Sequence, residues 1–228
     1  MAKILQIETA TQTCSVALAV DGKTIAVKEE TAKNIHAGSL TLFIVDVMEQ
    51  AGLRYQDLDA IAVSRGPGSY TGLRIGISTV KGLCFALDKP LIAIDTLKMM
   101  ANGFLLENPG YRGLICPMID ARRMEVFTAL YNEKLEAVGP VTAKIIDADS
   151  YTAELTTHQI TFIGDGASKC SEVLAYPNAV FSEGLYNSAA HLTQLALTAY
   201  QQEEFEDVAY FEPYYLKDFV FTMPKKKV

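Results

Sequence analysis

The sequence predicts an α/β protein built from two mixed sheets, each flanked by helices. Three observations carry this. Short apolar runs of strand composition alternate with segments whose apolar residues recur at helical spacing. The order three strands, helix, strand, helix, strand, helix fills the first hundred residues and returns in outline in the remainder. Half of the 228 residues are hydrophobic and 21% are charged, ample for a buried core.

Residues 3–8 (KILQIE) and 14–20 (CSVALAV) read as strands, and Asp21-Gly22 between apolar runs marks a hairpin turn. A third strand follows over about 23–30. Leu40, Phe43, Ile44, Val47, Met48 and Ala51 then form a helical stripe that Gly52 ends. Ala60 to Ser64 is a strand, followed by a Gly-Pro-Gly turn and a helix from about Thr71 to Leu87 that stops before Asp88-Lys89-Pro90. Leu91 to Ile94 is a strand, and a third helix starts near Thr96. In the second half, strands are expected at 112–119, 124–132, 136–146, 160–164 and 178–181, with helices at 148–156, 167–175 and 188–203.

An antiparallel meander that leads into parallel crossovers, present twice, resembles the two-lobed actin-like ATPase fold, in which each lobe is ribonuclease H-like. The expected division is residues 1–105 plus about 188–228 as the N-terminal lobe and residues 106–187 as a smaller second lobe. The final helix and the segment from Pro213 are expected to pack back onto the first lobe.

The net charge is −7, and the excess acid lies entirely in residues 101–228, because residues 1–100 carry ten basic and ten acidic side chains. A chain that grips RNA by itself needs a basic face to displace counterions, and only Lys225, Lys226 and Lys227 cluster. No apolar run approaches the roughly 20 residues of a membrane helix. The opening MAKILQIETAT lacks a signal-peptide core. Cys14, Cys84, Cys116 and Cys170 show no C-x-x-C spacing and read as buried reduced thiols, so a cytoplasmic location is expected.

The sharpest motif runs from Arg65 to Gly76, RGPGSYTGLRIG. Gly66 and Gly68 permit backbone angles that other residues avoid, and Pro67 stiffens the turn. The helix beyond Ser69 offers free N–H groups at its positive end, a cradle for an anion or for a backbone carbonyl. A tight β–α turn without a ligand accounts for the same residues.

GPGSYTGLRIG followed by Lys81-Gly82-Leu83 resembles the signature of the TsaB (YeaZ) family. ILQIETAT (4–11), LDAIAVSRGPGS, DARRMEVFTALY (120–131), GDGA (164–167) and PYYLK (213–217) agree with that family in order and position, as does His36 before Ser39-Leu40. The resemblance covers nearly the whole chain. It implies a non-catalytic scaffold that pairs with a TsaD-like catalytic paralogue and works with a TsaE-like ATPase. That assembly moves threonylcarbamoyl from its adenylate to the anticodon-adjacent adenosine of tRNAs reading codons that begin with A. It implies tRNA contact only through the complex, with a homodimer as the alternative pairing, and no membrane.

The resemblance also directs attention to particular residues. Family members pair through the two helices at 36–51 and 72–87, which places Leu40, Leu42, Phe43, Val45, Val47, Leu73, Arg74, Ile77 and Val80 at a partner interface. Both helices are apolar on more than one face, with Leu42 and Val45 off the main stripe, and central burial in the lobe is the rival account. The paralogue's two metal-binding His positions, spaced i, i+4, fall here on Thr96 and Met100, so no metal and no catalytic residue is expected. A vestigial nucleotide cleft would comprise Glu8, Thr9, Thr11, Gly66, Gly68, Ser69, Asp120, Arg122, Gly164 and Gly166. Glu8 and Asp120 would face each other across it as a metal-water pair, or stand as solvated carboxylates. Thr9, Thr11 and Thr13 would donate hydroxyls or cap a turn, and Arg122 and Arg123 would hold a phosphate or carboxylate or form an ion pair within the lobe. No cofactor is expected beyond weak nucleotide binding shared with the complex. The competing readings are a small-molecule phosphotransferase of the acetate and sugar kinase class, which needs intact phosphate loops, and a metallopeptidase, which needs bound metal.

Overall fold

The computed structural model describes residues 1–217, so the Lys225–Lys227 cluster lies outside the described residues. The first sheet has the order β3-β2-β1-β4-β5. Its strands are β1 (Lys3–Glu8), β2 (Thr13–Val20), β3 (Lys23–Thr31), β4 (Ala60–Ser64) and β5 (Leu91–Ile94). β1, β2 and β3 pair antiparallel, and β4 and β5 continue the sheet in parallel on the other side of β1. The second sheet comprises β6 (Leu114–Asp120), β7 (Glu125–Thr128), β8 (Thr142–Ile145), β9 (Ile160–Ile163) and β10 (Ala179–Phe181). Its order β8-β7-β6-β9-β10 repeats the first, with an antiparallel meander on one side of β6 and parallel strands on the other.

Alternation along β1 sets the layers. Leu5 and Ile7 point to the face covered by α1 (His36–Ala51) and α2 (Tyr70–Leu87), where Leu40, Phe43, Val47, Leu73, Ile77 and Val80 complete one core. Ile4 points to the opposite face, under α3 (Thr96–Glu107) and α5 (Thr193–Gln201). Leu97, Met100 and Phe104 of α3 share that core with Ile92 of the first sheet and Ile115, Ile119 and Ile163 of the second, so α3 joins the two sheets. A third core lies on the other face of the second sheet around Phe162 and Cys116, with Leu155 of the short helix α4 (Thr152–Thr157).

Helix α1 ends at Gly52, whose φ of 65° is the left-handed conformation that lets its N–H reach the Glu49 carbonyl. The four cysteines are free and buried. Burial pushes the Cys14 thiol up to about 11 and those of Cys84 and Cys116 up to about 12, which keeps them protonated and inert.

The structure corrects three elements. The helix expected at 167–175 is one 3-10 turn, Ser168–Cys170, followed by further turns. Ala167, Cys170 and Leu174 are buried at helix-like spacing, but the Ser171 hydroxyl bonds the Ser168 carbonyl and competes with helical pairing. The strand expected at 136–146 is regular only over Thr142–Ile145, with Ala137 bridged singly to Tyr131. The helix expected at 188–203 opens as a 3-10 turn over Ala189–Leu192 before α5 begins.

Candidate functional site

The turn from β4 to α2 is closed by the chain itself. Ser69 caps α2 by accepting the Gly72 N–H at 3.2 Å, and the Ser69 N–H donates to the Ala10 carbonyl at 2.6 Å. A side chain at Gly68 would run into Ala10, one at Gly72 into the Thr9 carbonyl oxygen, and one at Gly76 into the Thr9 hydroxyl. Glycines four residues apart therefore form a groove on α2 that receives the first hairpin. The spacing of the motif is accounted for by this close backbone approach, with the Ser69 N–H at the start of α2 spent on the Ala10 carbonyl. Gly66, at φ 114°, leaves room for the Tyr214 carbonyl, while the Tyr214 N–H donates to the Arg65 carbonyl at 2.8 Å. The 205–217 segment is thereby laid across the β4–α2 turn, and Lys81 holds it through the Ala209 and Phe211 carbonyls.

Glu8 is fully buried. It shares a sheet face with its register partner Ser15, whose hydroxyl accepts the Ala189 N–H, so it lies beneath the 187–193 segment. One carboxylate oxygen accepts the Ala10 N–H at 2.6 Å. Among the described residues the other carboxylate oxygen, Oε2, and the neighbouring Ser64 Oγ have no hydrogen-bond partner. Desolvation dominates and pushes the carboxyl up to about 7. Thr9 is buried too, its hydroxyl without a hydrogen-bond partner among the described residues. Thr11 accepts the Thr13 N–H at 3.3 Å, a turn-capping role.

Asp120 stands elsewhere. It lines an open cleft of about 770 Å³ together with Thr11, Lys33, Ser69, Arg122, Asp165 and Tyr214. Its carboxylate is held by Lys169 at 2.6 Å and accepts the Arg122 N–H at 2.7 Å. Neither reading of the pair holds for Glu8, which is fully buried and so neither faces Asp120 across the cleft nor stands as a solvated carboxylate, whereas Asp120 is exposed and paired with Lys169. Gly164 and Gly166 pack against the β6 backbone around Met118 and Ile119, and the Asp165 carboxylate accepts the Asp120 N–H at 3.0 Å. Burial raises the pKa of Asp165. Sequence reasoning missed the cleft positions of Lys33 and Tyr214 and the pairing of Lys169 with Asp120, because only long-range packing brings them about.

The helix faces divide sharply. Leu40, Phe43, Val47, Leu73, Ile77 and Val80 are buried against the first sheet, so those six can touch no partner and their assignment to an interface is corrected. Leu42 is 61% exposed and Val45 42%, while Arg74 is exposed with its guanidinium 4.3 Å from the Tyr70 ring centre. Phe85, absent from the expected set, is 85% exposed. The signal was present: Phe85 sits opposite the Leu73-Ile77-Val80-Cys84 stripe. Among the described residues nothing lies within 4 Å of a side chain added at Gly82 on the same outer face.

Thr96 accepts the Gly66 N–H at 3.1 Å, and Met100 is buried beside Gly164. Among the described residues no group of three or more His, Cys, Asp or Glu side chains gathers in a metal-holding arrangement. His36 is buried with Nε2 at 3.2 Å from the Thr13 carbonyl, and His191 bonds the Tyr186 carbonyl at 3.0 Å, so both are structural. No helix among the described residues is long and apolar enough to cross a membrane.

A family model described as TsaD, tRNA N6-adenosine threonylcarbamoyltransferase, matches residues 23–222. The tRNA threonylcarbamoyladenosine biosynthesis protein TsaB of Escherichia coli K12 is 31% identical over 223 residues, 95% of each chain. The solved structure of YeaZ from Pseudomonas aeruginosa superposes with a TM-score of 0.82 at 29% identity, covering 95% of this chain and all of that one. Component A of (R)-2-hydroxyglutaryl-CoA dehydratase from Acidaminococcus fermentans superposes over 90% of this chain and all of its own, with a TM-score of 0.53 at 12% identity, which bears on the fold alone. The chain has the two-lobed actin-like ATPase fold, and it belongs to the TsaB (YeaZ) family within the wider group that the TsaD model describes.

Proposed function

We propose that this chain acts in tRNA threonylcarbamoyladenosine biosynthesis as a non-catalytic cytoplasmic scaffold that binds a TsaD-like catalytic paralogue. A TsaE-like ATPase joins the assembly, and tRNA is engaged only within it. The chain works as two lobes, residues 1–105 with about 188–228, of which 218–228 lie outside the described residues, and residues 106–187. The carrying observation is the outer face of α1 and α2, where Leu42, Val45 and Phe85 stand exposed on adjacent helices while their inner faces already fill the core. Such a surface gains about 25 cal/mol per Å² on burial against a neighbour. The phosphotransferase alternative is disfavoured because the first hairpin loop, Glu8 to Thr13, contains no glycine and its acid, Glu8, is buried and bonded to the Ala10 N–H.

The test is Val45→Glu. A charge on this exposed position should leave the isolated chain folded, within about 0.5 kcal/mol of wild type, because surface changes cost little. Copurification with the catalytic paralogue from the native cell should be abolished, because an unpaired buried charge costs several kcal/mol. A variant that folds normally and still copurifies sinks the scaffold reading. Tight ATP binding with phosphoryl transfer by the isolated wild-type chain would put the phosphotransferase in its place.

A further inference from the structure

The loop between β6 and β7 displays two arginines in a backbone conformation suited to other residues. Arg122 and Arg123 have φ of 73° and 53°, the left-handed region that glycine and asparagine enter readily and long side chains do not. The loop is tightly tied: the Ala121 N–H bonds the Glu125 carbonyl at 3.1 Å, the Glu125 N–H bonds the Arg122 carbonyl at 3.2 Å, and Asp120 accepts the Arg122 N–H. The fold therefore imposes the strain, and Asn-Gly would relieve it.

The charges are as unspent as the backbone is strained. Asp120 is taken by Lys169, Glu125 is taken by Lys217, and Asp165 accepts the Asp120 N–H. Both arginines are exposed, and among the described residues neither guanidinium has an ion pair or hydrogen bond. Arg122 lines the cleft wall, and Lys33, also exposed and unpaired among the described residues, lines the same cleft. Tyr214, 39% exposed, supplies an aromatic ring in the cleft. Free cations beside an exposed aromatic ring fit a phosphodiester strand, whose backbone meets the charges and whose bases meet the ring.

We propose that the Arg122–Arg123 loop is the point at which this chain touches the phosphate backbone of the RNA substrate once the complex has assembled. The inference rests on the scaffold reading. It is compatible with the acid excess of the chain, because two arginines and a lysine are too few for binding by the free subunit and contribute only when a partner holds the RNA nearby. Strain kept at a loop tip is the expected signature of a position retained for binding and not for stability.

The experiment uses the complex of the full chain with its catalytic paralogue and an unmodified tRNA transcript reading an A-starting codon. Copurification is measured first. Arg122→Asn with Arg123→Gly should still copurify, and should raise the Tm of the isolated chain by roughly 2–6 °C as the strain is relieved. Binding of tRNA by the complex should weaken on the order of tenfold. The slope of log K against log salt should become shallower by about 1.5, since each phosphate that is no longer neutralised removes roughly 0.7–0.9 from it. Arg122→Lys with Arg123→Lys should keep most of the affinity and the slope. Unchanged tRNA affinity and slope in a complex that still pairs overturns the proposal. A drop in ATP affinity with tRNA binding intact overturns it in favour of a free nucleotide. If the wild-type chain fails to pair, the scaffold reading fails, and the proposal with it.

Discussion

Replacing Glu8 by glutamine should stabilise the isolated chain by about 3 kcal/mol at pH 8 and leave its stability at pH 4 unchanged. The sign follows from burial. In the folded chain the carboxyl titrates near 7, against 4.5 when it is free. Below about 4.5 the group is protonated in both states and costs nothing. Between 4.5 and about 7 the unfolded chain releases the proton while the folded chain holds it, so stability falls by about 1.4 kcal/mol per pH unit. Above 7 both states are ionised and the full cost is present. Glutamine keeps the carbonyl oxygen that accepts the Ala10 N–H and offers its amide to the unpartnered Ser64 oxygen. Denaturant titrations of both proteins from pH 4 to pH 8 decide the matter. A constant difference across that range would mean that Glu8 titrates alike in the folded and unfolded chains and that the desolvation account is wrong.

Gly72→Ala should cost the isolated chain about 3 kcal/mol, at the severe end for a single added methyl. The methyl meets the Thr9 carbonyl oxygen, a backbone atom, in a hairpin fixed at the next residue by the bond between the Ala10 carbonyl and the Ser69 N–H. Neither side can yield without breaking the α2 cap. Gly82→Ala on the same helix is the control. Its added methyl meets nothing among the described residues, so only helix propensity acts, and stability should rise by roughly 0.5–1 kcal/mol. Equal midpoints for the two variants would show that the hairpin does not rest in the glycine groove.

The fold was largely legible in the sequence because its signals are local. Asp21-Gly22, Gly52 and the Leu40–Ala51 periodicity each fix an element through a few neighbouring residues. The 167–175 helix failed because three buried residues at helical spacing are equally served by successive turns. The site was less legible. An acid at the end of the first strand invites a place in the cleft, and only packing of the distant 187–193 segment puts Glu8 out of reach. The helix stripes foretold two apolar faces without telling which faced the sheet, and six of nine proposed interface residues lay on the inner side. The Arg122–Arg123 pair was visible as charge, whereas its left-handed backbone was not, since nothing in an Arg-Arg dipeptide announces that conformation.

The placement of α3 has a consequence for how the molecule comes apart. Leu97, Met100 and Phe104 belong to one continuous core that also contains Ile92 of the first sheet and Ile115, Ile119 and Ile163 of the second. Neither half can melt while the other stays intact without baring that shared apolar surface, so cooperativity extends across the whole chain. A lesion in the second sheet then lowers the stability of the first as well, and damage far from the partner surface can diminish assembly without altering any residue of that surface.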